Sequence, residues 1–121
     1  IWWFKNNRKS FIFTKNGEEI IFFFHEYIRL NNAKFIVPGW YMIKRDASFL
    51  DIIMGLKKQY NILQTAKDKE KITQLGVINK NNKSMIKFAP KLNWIKLSSS
   101  EILFKELAKK INSRKFVFYK R

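Results

Sequence analysis

The stretch Asn16-Gly17-Glu18-Glu19-Ile20-Ile21-Phe22-Phe23-Phe24-His25-Glu26-Tyr27-Ile28-Arg29-Leu30-Asn31-Asn32 decides how the chain is read. Its apolar residues Ile20, Phe23, Phe24, Tyr27 and Ile28 fall on one face at helical spacing. Asn16 stands where an N-cap belongs, and Glu19 stands where a capping box places its acidic partner. Asn31-Asn32 ends the run. The pattern predicts a helix here, helix one.

Toward the N-terminus, residues 10–13 predict a short strand behind a polar, basic start over 5–9. Toward the C-terminus, residues 34–37 predict a buried strand ending at Pro38-Gly39, with residues 40–43 extending it or returning beside it. Residues 46–74 differ in character. Ser48 and Asp51 form a second possible capping box, ahead of Phe49, Ile52, Ile53, Leu56 and Tyr60 at helical spacing, and residues 67–71 are nearly all charged, as in a solvated helix end or a flexible protrusion.

Beyond this, residues 75–78 are short and apolar, and residues 79–83 form a polar, basic loop. Residues 84–88 and 93–97 predict paired strands about Pro90. Ser98 and Glu101 predict a capped second long helix with Leu103, Phe104, Leu107, Ala108 and Ile111 on its apolar side, and residues 116–119 predict a closing strand. The fold class expected is α+β, two main helices packed on an antiparallel or mixed sheet, as one domain over 1–121 with a helical or charged insertion over 46–74.

Composition narrows the function. A length of 121 residues suits one domain. Lys and Arg number 25 against 9 Asp and Glu, a formal charge of +16, so a polyanion is the expected partner. Hydrophobic residues make up 46% and aromatic residues 17%, far above a disordered basic tail. With no Cys and a single His, disulfide scaffolds, thiolate or histidine metal sites, thiol nucleophiles and Ser-His-Asp triads all fall away. Four dispersed glycines cannot write a phosphate loop or a dinucleotide fingerprint. No catalytic residue, metal or cofactor is therefore assigned, and the chain is expected not to be an enzyme. Residues 35–43 are the longest uncharged run, nine residues, too short for a membrane span of about 20. Starting at Ile1, the sequence is expected to be a processed or partial product.

Phe, Ile, Asn and Lys together supply 59 of 121 residues, and all four can use A/T-rich codons, which points to an organellar or A/T-biased genome. The cations spread over many segments rather than one recognition helix, as suits a protein packed against folded RNA. Lys5, Arg8, Lys9, Lys34, Lys44, Arg45, Lys80, Lys83, Lys87, Lys91, Arg114 and Lys115 are the candidate RNA-binding residues. Twenty lysines against five arginines favour point-charge contacts to phosphates over bidentate base reading. Trp2-Trp3, beside Lys5 and Arg8, is a candidate contact with RNA or protein, whereas Trp40 and Trp94 read as packing residues.

The order of segments resembles the bacterial-type large-subunit ribosomal protein sixteen family, in a divergent mitochondrial form. The residues that carry the likeness are Ser10-Phe11 leading into helix one, residues 28–37, Leu75-Gly76-Val77 with Lys80 and Lys83, residues 85–88 with Pro90-Lys91 and 94–97, residues 101–110, and residues 115–120. Loop 79–84 has no Gly where that family's loop is rich in it, and residues 46–74 exceed its connection. The resemblance implies a structural constituent of the large ribosomal subunit in the mitochondrial matrix, bound to large-subunit rRNA and neighbouring ribosomal proteins and steadying tRNA near the aminoacyl site. It would set Lys80 and Lys83 on the tRNA-side loop and Lys5, Arg8 and Lys9 on the RNA-embedded side. Two other readings stay open: a fragment of an intron-encoded endonuclease or maturase, which needs facing carboxylates for a divalent metal, and a subunit of an organellar membrane complex with its basic face on anionic lipid.

Overall fold

A computed structural model describes residues 8–121. The elements in chain order are strands β1 (Arg8–Lys15), β2 (Glu18–Leu30) and β3 (Ala33–Met42), helix α1 (Phe49–Glu70), strand β4 (Thr73–Asn79), helix α2 (Lys83–Phe88), a 3-10 turn (Ala89–Leu92), strand β5 (Ile95–Lys96), helix α3 (Ile102–Ala108) and strand β6 (Phe116–Lys120). The fold is α+β, as expected. Its six strands form a mixed sheet in the order β1-β2-β3-β4-β6-β5, in which β3 and β4 run parallel.

Helix one is not formed: its residues belong to β2. Residues 20–24 are apolar without a break and rich in Ile and Phe, so they satisfy a strand as well as a helix, and these residue types favour the pleated, half-buried environment. The turn decides between the two. Asn16 and Gly17 both have positive φ, 52° and 80°, the backbone of a two-residue hairpin turn, so Asn16 turns the chain rather than capping a helix. Asn31 and Asn32, at 49° and 66°, make a second such turn between β2 and β3. A bulge sets the burial of β2. Phe13 pairs with Ile21 but Thr14 with Glu19, which leaves Ile20 as an extra residue, and Ile20 and Ile21 are both buried.

Two further expectations change. Residues 84–88, read as a strand, lie in α2, where the Asn82 side chain accepts a hydrogen bond from the Met85 N–H at 3.2 Å. The long helix expected from Ser98 shrinks to the seven residues of α3, starting after Glu101. The Glu101 carboxylate accepts from the Ser98 N–H at 2.7 Å and from Lys120 Nζ at 3.1 Å, so it braces the helix entry against β6.

The described residues form two compact units. Residues 8–27 and 38–72 make the first. Here Ser48 caps α1 by accepting from the Asp51 N–H at 3.2 Å, while Asp51 itself accepts from Lys15 Nζ at 2.6 Å, which ties the first turn of α1 to the end of β1. Gly55 faces Phe13, Ile21 and Phe23, so α1 covers that side of the β1–β2 hairpin. Gln59 Nε2 donates to the Gly39 carbonyl at 3.1 Å, and the Tyr27 hydroxyl donates to Glu70 at 3.0 Å near the far end of the helix. The charged run 67–71 is the last turn of α1, closed by Lys71 in the left-handed conformation with its N–H on the Lys67 carbonyl.

Residues 28–37 and 73–121 make the second unit. Its centre is the antiparallel β4–β6 pair, covered on both faces. On one face Leu30, Leu75, Leu97, Leu107 and Phe118 form a buried cluster against the apolar side of α3, with Phe104 edge-on to Phe118 at 5.2 Å. On the other face Ala89, Trp94 and Tyr119 pack together, and the Arg121 guanidinium lies 4.0 Å over the Trp94 ring. Arg121 also donates from Nε to Gln74 Oε1 at 2.6 Å, next to its backbone pairing with the same residue. Among the described residues no helix is long and apolar enough to cross a membrane.

Candidate nucleic-acid interface

Charge is unevenly divided between the units. The second contains fourteen Lys and Arg against two Asp and Glu, a formal 14 − 2 = +12 of the chain's +16. Both of its acids already face lysines, Glu101 with Lys120 at 3.1 Å and Glu106 with Lys109 at 3.0 Å. Hydrogen bonding from the Ser98 backbone, and then from Lys120, holds the Glu101 carboxyl below the usual carboxylate range, so it stays ionised. From residue 71 to residue 100 the chain has no Asp or Glu.

The antiparallel register of β4 and β6, Asn79 opposite Phe116, brings two distant basic segments side by side. The Lys80 N–H donates to the Lys115 carbonyl at 2.9 Å, which joins loop 79–83 to turn 112–115. Lys80, Lys83, Arg114 and Lys115 are thus gathered at one end of the strand pair, all exposed. Local bonds hold both segments. The Asn79 side chain accepts from the Asn81 N–H at 2.8 Å, and the Asn112 side chain accepts from the Arg114 N–H at 2.9 Å. Asparagine therefore turns a loop in which the sequence offers no Gly. Lys87, one helical turn beyond Lys83 on α2, and Lys91, on the 3-10 turn, extend the exposed basic surface.

The other candidates are dispersed. Lys34 is exposed near the start of β3. Lys9 is exposed on β1, with His25 as its strand partner. Arg45 is exposed in the turn before α1. Lys44 pairs with Glu18 at 2.8 Å, and hydrogen bonding to that carboxylate raises its pKa, so its charge is already matched within the protein. Arg8 opens β1, opposite Glu26 in register. Lys5 and Trp2-Trp3 lie outside the described residues. Trp94 is buried in the second unit and Trp40 is half-buried, as packing residues.

The sequence reading missed a set of rings in the first unit. Phe22 stacks on Tyr41 at 4.9 Å and lies 6.1 Å from Phe24, on the side of the hairpin opposite Phe23 and Ile21. The Asn16-Gly17 pair was the signal for it, since reading that pair as a hairpin turn puts Phe22 and Phe24 on one strand face. Among the described residues no group of three or more His, Asp or Glu side chains is placed to hold a metal ion. No protein family, curated protein or solved structure matched the chain.

Proposed function

We propose that the chain is a non-enzymatic RNA-binding protein whose second unit, residues 28–37 and 73–121, grips the phosphate backbone. The observation that carries this reading is the segregation of charge: a formal +12 on that unit, with both of its acids already bonded to lysines, leaves a surplus that suits an external polyanion. Lysines, as compact and hydrated point charges, suit phosphates better than base edges. Their ordered supports, the β4–β6 register and the two asparagine-held turns, hold them in place before binding and reduce its entropic cost.

The narrower form of the proposal is a constituent of the large subunit of a mitochondrial ribosome, contacting its rRNA and neighbouring proteins and helping to position tRNA near the aminoacyl site. It rests on the resemblance in residues 75–83, 101–110 and 115–120. The parts of the likeness drawn from helix one and from a strand over 84–88 no longer contribute. Co-sedimentation with large ribosomal subunits, kept at low salt and lost at high salt, tests this form.

Fluorescence anisotropy with a folded RNA across a salt series tests the broader one. Wild-type affinity should fall steeply with salt. Replacing Lys80, Lys83, Arg114 and Lys115 together by Ala should flatten the log–log slope by about 3, since each lost phosphate contact removes roughly 0.7–0.9. An unchanged slope, or no binding at low salt, would contradict the proposal.

A further inference from the structure

We infer that the basic surface of the second unit takes double-helical RNA rather than unpaired strands, an inference that rests on the RNA-binding reading above. Proteins that hold single strands combine cations with exposed rings, because unpaired bases gain much of their affinity by stacking on aromatic faces. Double-helical RNA offers its phosphates and the shape of its grooves, while its bases remain stacked on one another. The two ligands therefore require different surfaces.

The second unit exposes cations and has no aromatic residue among its exposed ones. Lys80, Lys83, Lys87, Lys91, Arg114 and Lys115 are all exposed. None of its aromatic residues is fully exposed: Trp94, Phe118 and Tyr119 are buried, and Phe35, Phe88, Phe104 and Phe116 are half-buried. Trp94, the ring best suited to stacking, is covered on one side by the Arg121 guanidinium and stands against Gly76. The only exposed large apolar side chains here are Ile95 and Ile102, which have no π-face to offer a base.

The spacing of the cations also suits a regular backbone. Lys83 and Lys87 are one turn apart on α2, about 6 Å along its axis. Lys91 follows on the 3-10 turn that directly continues α2 in the chain, so the cations recur at four-residue intervals over 83–91. Lys80 and Lys115 continue them across the hydrogen-bonded loop junction. Such a row meets successive phosphates of a helical strand whatever its sequence.

The test compares three RNAs by anisotropy at fixed salt: a perfect duplex of about 20 base pairs, one strand of it alone, and a duplex of unrelated sequence. Wild-type protein should bind both duplexes alike, and each about tenfold or more tighter than the single strand. The pair Lys87→Ala and Lys91→Ala should weaken duplex binding about three- to tenfold, while Lys105→Ala on α3 with Lys110→Ala in the turn after it should change it less than twofold, with circular dichroism to check that both variants fold. Single strand bound as tightly as duplex would overturn the inference and leave the RNA-binding reading standing. An equal loss from the Lys105 and Lys110 pair would also overturn it. Binding to none of the three RNAs would overturn both.

Discussion

The two units expose different surfaces. The first carries most of the exposed large apolar side chains, among them Ile12 at 48%, Tyr41 at 47%, Phe49 at 74% and Leu50 at 63%, whereas the second exposes lysines and has its rings buried or half-buried. Their charge balance differs as well. Each unit has two Lys–carboxylate pairs, Lys15–Asp51 and Lys44–Glu18 in the first and Lys109–Glu106 and Lys120–Glu101 in the second, but the first sets 11 Lys and Arg against 7 Asp and Glu and the second 14 against 2. The net charge of +16 hides this division. The lesson is that a strongly basic composition becomes informative once the fold assigns each cation either to a partner within the protein or to the outside.

The largest expected effect comes from breaking the second unit. Phe118 is 1% exposed and sits in the cluster that joins β6 to α3, so Phe118→Ala should cost about 3–5 kcal/mol in urea melts and weaken RNA binding with it. A loss below about 1 kcal/mol would mean that this cluster does not organise the unit.

A smaller effect belongs to the first unit. His25 is buried on β2, stacked at 5.8 Å on Phe11 and edge-on to Tyr27, with Lys9 and Glu70 as the charged groups around it. Burial, and then Lys9, push its pKa below the ordinary 6.5, against a weaker opposing pull from Glu70. Below pH 6.5 the unfolded chain therefore takes up a proton that the folded chain refuses. Stability should fall as pH drops from 6.5 toward the folded value and level off beneath it, by at most about tenfold in the folded-to-unfolded ratio per pH unit. Thermal melts between pH 7.5 and 5 should show this slope in wild type and not in His25→Phe. The same slope in both would assign it to another group.

Parts of this division were legible in the residues alone. Ser48 marked the start of α1, the spacing of Leu103, Phe104 and Leu107 marked the buried side of α3, and residues 34–37, 75–78 and 116–119 read as strands. The unbroken run 20–24 was ambiguous because continuous apolar sequence fits either period, and the neighbouring Asn16-Gly17 resolves it only when weighed as a hairpin turn. Residues 84–88 misled for a related reason: a capped helix of six residues is too short to display a period. Lys80 and Lys83 stood out in a polar loop, yet their meeting with Arg114 and Lys115 depends on a pairing between strands nearly forty residues apart, which no local pattern specifies. That the rings of the second unit face inward depends on the same long-range packing.

Lysine footprinting tests the division of labour most directly: acetylate the protein with and without a saturating RNA duplex and compare each site by mass spectrometry. Lys80, Lys83, Lys87, Lys91 and Lys115 should become protected, while the exposed Lys57 and Lys58 on α1 react as before. Protection of Lys57 and Lys58, with the lysines of the second unit still reactive, would contradict the account.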